Sequence, residues 1–264
     1  MHAVVSVVDF NGKTYKLDGH TRSYLWSKKK LAPPASTLIV TVFKAETMDD
    51  VRRMYECCDN SGAVKNSADN MFSALNSLGY APKNILKKSN AVFSVIKQMT
   101  PGKGGPSTTA FELVPEWFED IIALDSISGL TNRRFPAGFV AAFLAFHRLQ
   151  RQKSGGHPEK VIEFCTRYKD DDCQKVGALF CPVFATREIF ESLRNDGESK
   201  ISGHLHKFSK TSIRVINCFK KYLETGAEAC YRDLPKDSYT QGGKFTMSDW
   251  VRDHCLFGKA VGQI

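Results

Sequence analysis

The sequence predicts an α+β protein, with a small α/β unit over residues 1–45 followed by a predominantly α-helical domain over 46–264. Two observations lead there. Apolar, β-branched runs at Val4–Val8 and Thr37–Phe43 bracket the tight-turn pair Asn11-Gly12 and a single short helix-like segment. Beyond Ala45 the chain reads as a succession of amphipathic helices separated by glycine- and proline-bearing breaks.

Taken in order, Val4–Val8 forms a strand, Asn11-Gly12 turns it, and Lys13–Leu17 returns antiparallel. Ser23–Lys30 follows as a helix and Thr37–Phe43 as a third strand. Thr47 is a good N-cap, with Asp49 and Asp50 in the first turn beyond it, and Asp59-Asn60-Ser61-Gly62 breaks that helix. Ala63–Leu78 ends at Gly79, and Asn84–Met99 carries an apolar stripe of Ile85, Leu86, Val92, Phe93 and Ile96. Residues 100–109, rich in Gly, Pro, Ser and Thr, read as a flexible loop without the order of a phosphate-binding P-loop. Further helices are expected over Val114–Leu124, with Pro115 in its first turn, and over Ala137–Lys153, Glu159–Tyr168, Thr186–Arg194, Ser209–Glu224 and Ser248–Phe257.

The 264 residues are 42% hydrophobic and 25% charged, the balance of a globular protein with ample core. No apolar run reaches membrane-spanning length, and the N-terminus lacks the basic start and cleavage site of a signal peptide, so a cytoplasmic location without membrane association is expected. Eight scattered cysteines show no C-x-x-C pattern; free, mostly buried thiols are expected, and no metal site. The net charge of +9 calls for an anionic partner, and nucleic acid is the usual one.

The sharpest local feature is Asp18-Gly19-His20-Thr21-Arg22, placed where a strand hands over to a helix N-terminus. Free N–H groups and the helix dipole favour an anion there. Gly19 allows close backbone approach, and His20, Thr21 and Arg22 add donors. These four residues form the candidate nucleotide- or phosphate-binding set.

The order of strand, Asp-Gly-His-x-Arg, helix, lysine-rich loop and strand over residues 1–48 resembles the ParB/sulfiredoxin superfamily. The resemblance implies a turn that holds a nucleotide phosphate, with CTP or ATP, together with Mg, as the possible cofactor. Sulfinic-acid reduction is not implied, because the position after Gly19 is His20 and no cysteine precedes Cys57. Gly19-His20-Thr21-Arg22 is similar to the first CTP-binding motif of ParB-type proteins, while Arg52, Arg53 and Asn60 fall in the region of the second. The free-serine kinases of the superfamily carry Asp-Gly-His-His-Arg. Carried over, Asp18 and His20 become catalytic and Arg22 neutralises phosphate charge, although Asp9 is the only acid upstream of Asp18.

Elsewhere, Lys200, Lys207, Lys210, Arg214, Lys220 and Lys221 occupy a stretch without Asp or Glu, interleaved with His204, His206 and Phe208. Lys210, Arg214 and Lys221 share one helix face, which suits a phosphate backbone and makes DNA the expected partner. Three functions follow: a ParB-like nucleotide-binding protein that engages DNA, a phosphotransferase or nucleotide hydrolase (a ParB-like kinase or nuclease) using the Asp18-His20-Arg22 turn, or a phage or mobile-element factor acting on a host protein.

Overall fold

The computed structural model describes residues 3–32, 37–58, 67–84, 91–103, 108–130, 135–195, 204–236 and 246–255. The chain divides into two units, Met1–Lys65 and Asn66–Ile264.

In the first unit the sheet order is β2-β1-β3, with β1 Ala3–Phe10, β2 Lys13–Lys16 and β3 Leu38–Lys44. The hairpin pairs Val8 with Tyr15 and Phe10 with Lys13 across Asn11-Gly12, both of which take positive φ. A parallel β1–β3 pairing, with Val5 opposite Val40 and Val7 opposite Val42, requires a crossover. Helix α1, His20–Ser27, supplies it. Alternation along β1 sends Val8 and Phe10 to one face, where they meet Leu17 and Val51 of α2, Met48–Cys58. The expected N-cap of α2 is realised reciprocally: Asp50 N donates to Thr47 Oγ1 at 3.1 Å, and Thr47 N donates to the Asp50 carboxylate at 3.0 Å. The Thr47 hydroxyl, 2.7 Å from the Asp50 carboxylate, and then the Thr47 N–H hold the Asp50 carboxyl below its ordinary value. Because α2 packs on β1, the junction expected near Ala45 falls within the first unit.

The second unit contains helices α3 Ser67–Ser77, α4 Ala91–Met99, α5 Ala110–Ser126, α6 Ala137–Gln152, α7 Pro158–Lys169, α8 Pro182–Asn195, α9 His204–Thr225 and α10 Met247–His254. A short hairpin, β4 Lys175–Val176 with β5 Leu179–Phe180, interrupts them. Helix α6 is apolar almost all round: Phe139 to Phe146 is fully enclosed, and α4, α5, α7, α9 and α10 pack against it. An aromatic cluster ties three of these helices together, with Phe139 stacked on Tyr168 at 4.8 Å and Phe164 edge-on to Phe219 at 4.7 Å. Gly138 lets α9 come close, since a Cβ there would lie 3.0 Å from Thr211 Cγ2.

Several helix limits differ from the sequence expectation. Helix α1 begins at His20 rather than Ser23, α8 at Pro182 rather than Thr186, and α9 at His204 rather than Ser209. Helix α5 begins at Ala110, which leaves Pro115 inside the helix rather than in its first turn. Asn84 is held by Asp125, whose carboxylate accepts from the N–H groups of Lys83 and Asn84 and from Tyr80 Oη, and helix α4 is described from Ala91. Ile85 and Leu86 lie outside the described residues. Of the loop expected over residues 100–109, Thr100 is buried, donating to the Ile96 carbonyl and accepting from Trp117 Nε1; residues 104–107 are outside the described set. Cys165, Cys181, Cys218 and Cys255 are buried and Cys57 is exposed, all as free thiols. No described helix is long and apolar enough to cross a membrane.

A buried charge cluster locks α5 to α6. Asp120 has no solvent exposure and faces His147 Nδ1 at 2.7 Å and Arg151 at 3.3 Å. Arg148 lies over the Trp117 ring at 4.6 Å and donates to the Glu116 carbonyl at 2.6 Å. Replacing Asp120 by Ala leaves buried Arg148 and half-buried Arg151 without their counter-charge and is expected to cost about 3–5 kcal/mol. Urea unfolding of the variant checks this, and Asp120→Asn should recover part of the loss.

Candidate functional site

The turn expected to hold phosphate is built by β1 and α1. Leu17 and Asp18 N–H groups both donate to the Ser6 carbonyl, at 2.8 and 3.2 Å, which ends the returning strand against β1. The chain then reverses at Gly19, with φ 82° and ψ 15°, as the N-cap of α1. This backbone conformation favours glycine, and a Cβ would also sit 3.2 Å from Val5 Cγ2. Gly19 is therefore fixed twice, by handedness and by space. Ser23 N–H and Oγ both bond to the Gly19 carbonyl, at 2.9 and 2.8 Å, and close the first turn.

Gly19 has no side chain with which to cap α1, so the acid before it takes up that role. Asp18 Oδ1 accepts from Gly19 N–H, and Asp18 Oδ2 pairs with Arg22 at 3.1 Å. A carboxylate thus occupies the mouth of the helix that an anion would enter. Both partners are about half exposed, at 47% for Asp18 and 41% for Arg22, so the pair is accessible to solvent and to a competing ligand. His20 and Thr21 are exposed. The His20 ring meets Tyr55 of α2 edge-on, with centroids 5.9 Å apart. Tyr55 carried no sequence signal, because its approach to His20 depends on how α2 crosses the sheet. Asp9, the upstream acid, accepts from Thr14 Oγ1 at 2.6 Å on the hairpin. Among the described residues, no three His, Cys, Asp or Glu side chains come together as metal ligands.

The basic stretch is placed differently from a free helix face. Lys200 lies outside the described residues, and Lys207 belongs to α9 with its side chain outside them. Lys210, Arg214, Lys220 and Lys221 are all part-buried, because α9 is a core helix with Ile213, Val215, Ile216, Cys218, Phe219 and Tyr222 enclosed. Arg214 Nε donates to the Pro235 carbonyl at 2.9 Å, and Lys221 pairs with Glu224 at 3.1 Å. Burial lowers the pKa of Lys220.

The Asp120–His147 pair has the contact of a catalytic dyad but not its access. Phe143 stacks on the His147 ring at 5.4 Å, and the ring is buried. Burial pushes the neighbouring Cys255 thiol up to about 12, which keeps it from acting as a thiolate nucleophile.

In the comparisons with known proteins, no family model, no curated protein and no solved structure matches this chain.

Gly19→Ala forces a Cβ into a left-handed residue against Val5 and is expected to destabilise the first unit by about 1–2 kcal/mol. Hydrogen exchange at the amides of β1 and α1 checks this, and Gly12→Ala, where a Cβ meets nothing within 4 Å, separates backbone strain from the Val5 contact.

Proposed function

We propose that the Asp18–Arg22 turn binds the phosphate of a nucleotide such as CTP or ATP, and that its role is binding rather than phosphoryl transfer. One observation carries this reading: a glycine in the left-handed conformation opens a helix whose mouth is held by an exchangeable Asp18–Arg22 pair. An arriving phosphate takes the guanidinium from Asp18 and gains charge-assisted hydrogen bonds together with the helix dipole. Asp18 acts as an internal competitor, releasing Arg22 only to a stronger anion. Mg enters with the nucleotide, carried on phosphate oxygens that Arg22 does not hold.

Binding is favoured over phosphoryl transfer because Asp9, the one acid upstream of the turn, is bonded to Thr14 on the hairpin. The cations of α9 favour a structural role over DNA engagement, because they are part-buried and Arg214 and Lys221 are bonded within the protein.

Titration calorimetry of the full chain with CTP and with ATP, each with Mg, tests the proposal. Arg22→Ala should weaken binding by at least about tenfold, the scale of one lost charge-assisted hydrogen bond. Asp18→Asn should tighten it, because the competing carboxylate is gone. Absence of binding to either nucleotide, or weaker binding in Asp18→Asn, overturns the proposal.

A further inference from the structure

Strand β3 is exposed along its whole length, and its sequence is that of a buried strand. Leu38, Ile39, Val40, Val42 and Phe43 are 39–54% exposed, and alternation places Leu38, Val40 and Val42 on one face and Ile39 and Phe43 on the other. In the sheet order β3 is an edge, paired among the described residues with β1 alone. Edge strands are ordinarily blunted by inward charges, prolines or bulges. This one carries no charge until Lys44. An open row of main-chain donors and acceptors, apolar on both faces, is a template for one more strand.

The charge around the strand identifies its complement. From Gly19 to Ala45 the chain contains no Asp or Glu, whereas Lys28, Lys29 and Lys30 precede β3 and Lys44 ends it. All four lysines are exposed, and none has an acidic partner among the described residues. A second copy of this chain supplies the apolar side chains but brings two acid-free, lysine-bearing segments to one seam, where like charges oppose pairing.

We infer that β3 is a docking edge for an extended segment of a partner protein, apolar at alternate positions and flanked by Asp and Glu. Main-chain bonds along β3 supply the register, the exposed valines and Ile39 take the alternating side chains, and the lysines fix orientation and speed the encounter. This surface is separate from the Asp18–Arg22 pair, so the inference stands independently of nucleotide binding.

The test uses a fluorescein-labelled peptide, Asp-Glu-Val-Thr-Val-Thr-Ile-Glu-Asp, titrated with the full chain and followed by anisotropy. Saturable binding is expected. It should weaken at least about tenfold when the peptide's acids become lysines, and vanish when its central Val becomes Pro, which cannot donate to a ladder. Val42→Asp should abolish binding by placing an acid on the seam. Lys44→Glu, an exposed charge change that leaves the apolar strand intact, should weaken it severalfold even if Val42→Asp perturbs the fold. Equal binding of acidic and basic peptides, or no binding, overturns the inference. So does light scattering that shows a concentration-dependent dimer dissolved by Val42→Asp, because the occupant is then a second copy.

Discussion

A helix that is apolar on every side must be enclosed, and the second unit is organised around that constraint. Helix α6 has no face to offer water from Phe139 to Phe146, so its neighbours are recruited to cover it. Two consequences reach beyond packing. Where α6 regains polarity, at His147, Arg148 and Arg151, it is still partly inside the protein, and Asp120 of α5 supplies the opposing charge. Where α9 crosses α6, Gly138 allows so close an approach that Ser209, Thr211 and Ser212 become buried along with the apolar residues.

The small sheet at the start of the chain was legible because its signals are local, whereas the β4–β5 hairpin between α7 and α8 was not. Asn11-Gly12 announces a hairpin, Thr47 and Asp50 announce a cap, and Gly79 stops a helix without reference to anything distant. The misplaced features have non-local causes. Thr100 looks like a loop residue until Trp117, far along the chain, donates to its hydroxyl. Ser209 and Ser212 of α9 give no local sign of burial. The structure uses them inside, with Ser209 Oγ accepting from Met247 N and Ser212 Oγ donating to the Phe208 carbonyl.

The candidate site was legible in position but not in its electrostatics. The spacing of Gly19 and Arg22 places a cation one turn into a helix, and that follows from geometry alone. The state of that cation depends on Asp18, which could equally have pointed to solvent or toward a metal. In the structure it caps its own glycine and holds Arg22, so the turn is neutralised from within. A motif that reads as a set of donors contains an ion pair of its own.

The uneven burial of the cysteines gives the molecule an internal record of its own opening. Cys57, on α2 of the first unit, is exposed, whereas Cys165, Cys181, Cys218 and Cys255 of the second are enclosed, with Cys181 Sγ accepting from the N–H groups of Gln174 and Phe184 at 3.2 and 3.4 Å. A thiol reagent therefore meets one population at the rate of simple encounter. It meets the other only through local or subglobal unfolding, each enclosed sulfur keeping time for the helices that cover it.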